Sequence, residues 1–122
     1  MAILAVVVSD DRYLGANLSS VVISEGYRQI RTADKERIIK EAKRTERLFI
    51  LDIACPLFEE PGVLRQVVNI ARISGNTIAA ICPNTDEKLK KLARDVRVDQ
   101  VFIRYDIELS FREFLKSFVP KS

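Results

Sequence analysis

The sequence contains no histidine and no tryptophan, and it has only two cysteines, four glycines and four prolines in 122 residues. The absence of histidine excludes histidine-based acid–base catalysis and histidine-ligated zinc. Two cysteines can neither complete a typical structural zinc site nor form a framework of disulfides. Because glycine and proline are scarce, a disordered or fibrous chain is not expected.

Long apolar segments are also missing, since no run approaches the length needed to cross a bilayer. We therefore expect no membrane partner. The apolar N-terminus, MAILAVVV, has no basic start and runs directly into acidic residues, which favours a first β-strand over a signal peptide. Together with the small number of cysteines, the lack of export features predicts a cytoplasmic protein.

Hydrophobic residues make up 48% of the chain, which is enough for one core in a single domain spanning residues 1–122. The net charge is +3 and the isoelectric point is about 9.0. Basic residues cluster in KERIIKEAKRTER and EKLKKLARDVR, but acidic residues interleave with them. This pattern is typical of solvated helix faces, so we expect no direct nucleic-acid binding by this domain.

Unbroken apolar runs predict five strands, and their lack of in–out alternation indicates burial on both faces, as in a parallel sheet. The runs lie at residues 3–8, 27–31, 48–51, 77–81 and 101–103. Helical periodicity separates them, so the predicted fold class is α/β, a (βα)5 doubly wound parallel sheet. By analogy with other five-stranded doubly wound folds, we expect the flavodoxin-like strand order 2-1-3-4-5.

Two helix signals are specific enough to be tested. In NTDE, the spacing of Asn84 and Glu87 predicts a capping box at the start of the fourth helix. A closing helix is predicted from apolar residues at helical spacing, namely Phe111, Phe114, Leu115 and Phe118.

The predicted functional site lies where the first and third strands end, because ligands of such sheets bind beyond the carboxyl ends of the strands. The first strand ends in VVVSDD and the third in FILD, so Asp10 or Asp11 should approach Asp52. Carboxylates brought together repel unless a hard cation lies between them, and Mg²⁺ suits oxygen ligands. The predicted metal ligands are Asp10, Asp52 and a backbone carbonyl just past Asp52, with Asp11 as a further candidate. The alternative is that these aspartates cap helices.

These residues resemble the receiver domain of two-component response regulators, and the resemblance covers the whole chain. DIACP resembles the family's phosphoacceptor aspartate with a proline four residues later. Cys82 and Arg104 fall on the positions of the family's hydroxyl residue and lysine. The resemblance implies that Asp52 accepts a phosphoryl group from a histidine kinase or phosphotransfer protein. It also implies that Mg²⁺ is the cofactor, held by Asp10, Asp52 and the backbone carbonyl of Ala54, and that Cys82 and Arg104 bind the phosphoryl oxygens.

The sequence departs from the receiver pattern at five positions. Ser9 stands where the family has a second acid, which should weaken Mg²⁺ binding. Cys82 offers a thiol, which is a weak donor, and Arg104 is planar and bulkier than lysine. Val101 replaces the switching aromatic residue, and Tyr105 replaces a proline.

Two functions therefore remain open at the level of sequence. The first is a phosphorylatable receiver in two-component signal transduction, which is not an enzyme beyond its own phosphorylation and dephosphorylation. The second is a pseudo-receiver that acts as a protein-interaction or dimerisation module without phosphoryl transfer. A flavin or nucleotide site is disfavoured because the loop SDDRYLGANLSS has no G-x-G-x-x-G and its acids would repel a phosphate. A redox role for Cys55 and Cys82 competes with simple burial of two small side chains.

The resemblance also implies partners. Many receivers form homodimers through the fourth helix, the fifth strand and the fifth helix, which here include DEKLKKLARD and FREFLKSF. An effector domain or a separate effector protein is the expected target of the signal.

Overall fold

Five parallel strands form one sheet in the order β2-β1-β3-β4-β5, as seen in a computed structural model that describes residues 3–118. The strands are β1 (Leu4–Val8), β2 (Arg28–Thr32), β3 (Arg47–Asp52), β4 (Thr77–Cys82) and β5 (Gln100–Ile103). The predicted fold class and strand order are confirmed, and each predicted strand lies within one or two residues of its observed bounds.

Helices connect the strands and cover both faces of the sheet. They are α1 (Arg12–Ser24), α2 (Lys35–Ala42), α3 (Val63–Ile73), α4 (Glu87–Asp95) and α5 (Arg112–Ser117). A short 3-10 turn also follows β3, at Pro56–Glu59. Among residues 3–118, no helix combines the length and the apolar content that a membrane span requires.

The closing helix is shorter than its apolar spacing predicts. A 3-10 turn at Arg104–Asp106 and a π-helical turn at Ile107–Phe111 follow β5, and α5 begins only at Arg112. Both ends of the π-helical turn, Ile107 and Phe111, are buried. The apolar pattern located the buried face correctly, but over so few residues it does not distinguish a π turn from an α turn.

The two faces of the sheet build two separate cores, because successive strand side chains point to opposite sides. Val6 and Phe49 pack on the face that α2, α3 and α4 cover. Val7 and Ile50 pack on the other face, against α1 and the segment that leads into α5. All four side chains are fully buried, which explains why the strands read as continuous apolar runs.

The predicted capping box at the start of α4 is wrong. The N-cap of α4 is Asp86, whose Oδ1 accepts a hydrogen bond from the Leu89 N–H at 3.0 Å. The Asn84 side chain instead accepts a 2.7 Å bond from the Tyr105 N–H, and so joins the β4–α4 loop to the end of β5. Sequence spacing alone could not reveal this partner, which is 21 residues away.

Candidate functional site

Parallel pairing brings the ends of β1, β3 and β4 to one edge of the sheet. Val8 pairs with Leu51 in register, so Ser9 and Asp52 follow at the same level. Asp52 in turn pairs with Ile81, the residue before Cys82. The register thus assembles the candidate site that the sequence predicts between the first and third strands.

Asp52 lies at the end of β3 and is only 1% exposed. Its Oδ2 accepts a 2.8 Å hydrogen bond from the Ser9 hydroxyl, and its Oδ1 accepts a 3.2 Å bond from the Ala54 N–H. The Ser9 oxygen also accepts a bond from the Asp11 N–H at 3.1 Å. A serine at position 9 therefore anchors the carboxylate of Asp52 to the loop that leads into α1.

Arg104 spans the two acidic segments of the site. Its Nη1 lies 3.3 Å from Asp11 Oδ2, and its Nη2 lies 3.7 Å from Asp52 Oδ1. Arg104 begins the 3-10 turn directly after β5, so the end of the fifth strand delivers a positive charge to the acidic edge. One guanidinium thus faces both carboxylates.

Asp11 is the N-cap of α1. Its Oδ1 accepts hydrogen bonds from the N–H groups of Tyr13 and Leu14, each at 3.0 Å. These bonds satisfy two of the helix donors that have no partner within the helix. For Asp11, the helix-cap alternative raised from the sequence is confirmed.

The two carboxyl groups differ in their electrostatic environments. Burial raises the pKa of the Asp52 carboxyl, although the Ser9 hydrogen bond and the charge of Arg104 act in the opposite direction. The pKa of Asp11 is lowered, chiefly by the backbone hydrogen bond from Leu14 and further by Arg104. Asp52 is therefore the costlier of the two to keep ionised, and its ionised form depends on Ser9 and Arg104.

The remaining predicted site residues lie around this pair. Asp10 is exposed. Cys55 and Cys82 are both free and buried, and burial raises the pKa of each thiol. Protonated, enclosed thiols are poor nucleophiles, so the redox alternative loses support.

As arranged, these side chains do not fit a magnesium ion, the cofactor that the resemblance to receiver domains implies. Within residues 3–118, no group of three or more acidic, cysteine or histidine side chains could hold a metal. All four carboxylate oxygens of Asp11 and Asp52 already contact an N–H, hydroxyl or guanidinium group. The proposed ligand set of Asp10, Asp52 and the Ala54 carbonyl stays a prediction.

Two contacts of the site were not predicted from the sequence. They are the hydrogen bond from Ser9 to Asp52 and the ion pair between Arg104 and Asp11. The resemblance to receivers emphasises only the acid that is missing at position 9. The signal that could have predicted the contact is that a serine hydroxyl at the end of β1 can donate a hydrogen bond to a carboxylate at the end of the neighbouring strand β3. Asp11 and Arg104 are 93 residues apart, so only the folded chain reveals their pairing.

We expect Asp11→Ala to lower the free energy of unfolding by about 1 kcal/mol near neutral pH, because α1 loses its cap. The folded-state pKa of Asp11 lies below its usual value of 3.8. Its contribution is thus present above that value and is lost as the pH falls through the lowered pKa. Urea denaturation of wild type and variant should therefore converge in acid.

The control for this prediction is Asp10→Ala, which removes the exposed neighbouring carboxylate and should change stability by less than about 0.5 kcal/mol. Equal losses in the two variants, or a difference that persists unchanged in acid, would contradict the assigned cap.

The fold and the position of this edge define a class: the chain has the fold of response regulator receiver domains. A response regulator from Colwellia psychrerythraea superposes with a TM-score of 0.72 at 17% identity, over 96% of each chain. The receiver domain of a sensor histidine kinase from Pseudomonas aeruginosa has a magnesium ion coordinated in its active-site cleft. It superposes with a TM-score of 0.71 at 16% identity, over 96% of this chain and all of that one.

The structural neighbours are not all described as response regulators. A pilus assembly-related protein from Burkholderia pseudomallei superposes with a TM-score of 0.63 at 18% identity, over 95% of this chain and 92% of that one. No protein-family model and no curated protein matches the sequence. The comparisons thus establish the fold, whereas the function has to be argued from the site.

Proposed function

We propose that this chain is a signalling module with a receiver fold that works through its surface, without phosphoryl transfer to Asp52. The observation that carries this proposal is the burial of the Asp52 carboxylate together with its hydrogen bonds. It is 1% exposed, and each of its oxygens already has a partner. A phosphoryl donor would have to reach an oxygen that Ser9, Ala54 and Arg104 surround.

The residues that would respond to a phosphoryl group support the same proposal. At position 82, a buried and protonated thiol can donate only a weak hydrogen bond. Val101, half-buried on β5, has no ring with which to switch between an inward and an outward rotamer. The likeness to a pilus assembly-related protein agrees with a use of this fold outside response regulators.

A phosphorylatable receiver is the second candidate, and one observation favours it. Asp52, Asp11 and Arg104 meet at the carboxyl edge of the sheet, and the exposed Asp10 precedes Asp11. In this alternative, Asp52 accepts a phosphoryl group from a histidine kinase or phosphotransfer protein, with Mg²⁺ present.

The proposed partners follow from the fold. We infer a protein-interaction surface made by α4, β5 and α5, which would serve either a homodimer or an effector. Mixed charges on α4 would allow pairing across a twofold axis, since Glu87, Lys88 and Arg94 lie on one short helix. Neither nucleic acid nor membrane is part of the proposal, and the proposed location is the cytoplasm.

Intact-mass measurement after incubation with acetyl phosphate and Mg²⁺ tests the proposal. We expect the wild type to gain no phosphoryl group, because Asp52 is buried and its oxygens are occupied. Asp52→Asn is the matched control, since it keeps the size of the side chain and removes the acceptor. An adduct of one phosphoryl group in the wild type that is missing in Asp52→Asn would overturn the proposal in favour of the second candidate.

A further inference from the structure

We propose that the guanidinium of Arg104 takes the place of a divalent cation at the acidic edge, so that this site is stabilised by the charge of a side chain and binds no Mg²⁺. The inference deepens the proposed function and rests on it, because it concerns the same carboxylates. It also accounts for two aspartates that lie close to one guanidinium at the end of a parallel sheet. Two neighbouring carboxylates otherwise raise each other's pKa.

The geometry supports a bridging role for Arg104. Its two terminal nitrogens point to different carboxylates, at 3.3 Å from Asp11 and at 3.7 Å from Asp52. A planar guanidinium can serve two acceptors in this way, whereas the ammonium group of a lysine acts as a point charge. Arg104 therefore shares its one positive charge between the two carboxylates.

Each oxygen of the two carboxylates also has a partner already, so a metal ion would have to compete with these partners for its ligands. Oδ1 of Asp11 caps α1, and its Oδ2 faces Arg104. Oδ2 of Asp52 accepts from Ser9, and its Oδ1 accepts from Ala54 and faces Arg104. Mg²⁺ requires oxygens in near-octahedral geometry at about 2.0–2.1 Å. It would have to displace the arginine before binding.

A direct consequence is that removal of the guanidinium should open a divalent-cation site. Oδ2 of Asp11 and Oδ1 of Asp52 would then lose the positive charge that both now contact. The exposed Asp10 directly precedes Asp11, and Ala54 lies two residues after Asp52, so the Asp10 carboxylate and the Ala54 carbonyl could complete an oxygen-rich site. The ligand is a small hard cation, for which Mg²⁺ is the probe.

The experiment is a calorimetric and NMR titration of the full chain with Mg²⁺ near neutral pH, comparing wild type with Arg104→Ala. We expect no saturable change in the wild type and an apparent affinity at least about tenfold higher in Arg104→Ala, since one nearby positive charge is removed. The amide signals of Ser9, Asp11 and Ala54 should report the binding. Arg65→Ala removes an exposed arginine on α3 and is the matched control.

A second variant tests the same inference in case Arg104→Ala does not fold. Arg104→Gln keeps most of the length of the side chain and removes its charge, so it should also gain Mg²⁺ binding. Adding Asp52→Asn to either variant should abolish that gain. Saturable Mg²⁺ binding by the wild type at these amides, or a folded Arg104→Gln that gains none, overturns the inference.

The outcomes for this inference and for the proposed function are separable. A wild type that takes up a phosphoryl group from acetyl phosphate equally well with and without a chelator would refute the proposed function and leave the inference standing. A wild type that binds Mg²⁺ at this edge but gains no phosphoryl group would refute the inference alone.

Discussion

The triple variant Ser9→Asp/Cys82→Thr/Arg104→Lys should gain one phosphoryl group from acetyl phosphate in the presence of Mg²⁺, whereas we expect the wild type to gain none. The three changes install the residues that typical receivers carry at these positions. Ser9→Asp removes the hydrogen bond on Oδ2 of Asp52 and adds an acidic oxygen ligand. Arg104→Lys replaces the bridging guanidinium by a point charge, and Cys82→Thr supplies a strong O–H donor.

In the expected reaction, an oxygen of Asp52 forms the new bond to phosphorus and acetate leaves. Intact mass shows the adduct, and a chelator tests its dependence on the metal. The control is the same triple variant with Asp52→Asn, which should gain nothing. If the triple variant folds, as judged by circular dichroism, and still gains no phosphoryl group, then the burial of Asp52 is itself the barrier. The three substituted positions would then not explain the lack of phosphoryl transfer.

Phe111→Ala should cost about 3–5 kcal/mol of unfolding free energy, which is a large share of the 5–15 kcal/mol that stabilises a typical domain. The ring of Phe111 is fully buried. It contacts Phe102 edge-to-face, with ring centroids 5.3 Å apart, and it lies 6.4 Å from Phe114. Truncation would leave a cavity in the core between β5 and the last helix.

Urea denaturation measures this loss, and the chain offers a matched control. Leu109 lies in the same π-helical turn but is 69% exposed, so Leu109→Ala should change stability by less than about 0.5 kcal/mol. Comparable losses in the two variants would mean that the turn as a whole, and not the buried ring, holds α5 on the sheet.

Much of the fold could be predicted from the sequence because burial of parallel strands leaves a local signal. Phe49 and Ile50 are neighbours that face opposite sides of the sheet, and both are fully buried. A strand of this kind must be apolar at every position. The boundary of α5 could not be predicted, because the choice between a π turn and an α turn depends on how Ile107 and Phe111 pack together in the core.

The location of the candidate site could be predicted from the sequence, but the hydrogen bonds and ion pairs within it could not. Strand ends gave the positions of Asp52 and Cys82, because parallel strands terminate at one edge. These contacts join residues that are far apart in the sequence. Asn84 illustrates this point, since its local spacing suggested a helix cap whereas its side chain accepts from Tyr105 across the loop.

Local sequence patterns are sufficient to predict the α/β class, the succession of strands and helices, and the edge at which acidic residues gather. These features follow from the period of apolar residues and from the chemistry at strand ends, both of which are local. The hydrogen bond from Ser9 to the carboxylate of Asp52 and the contacts of Arg104 with Asp52 and Asp11 become visible only in the folded chain. Such contacts depend on distances of a few ångströms between residues that are 43 to 93 positions apart, and no local pattern encodes them.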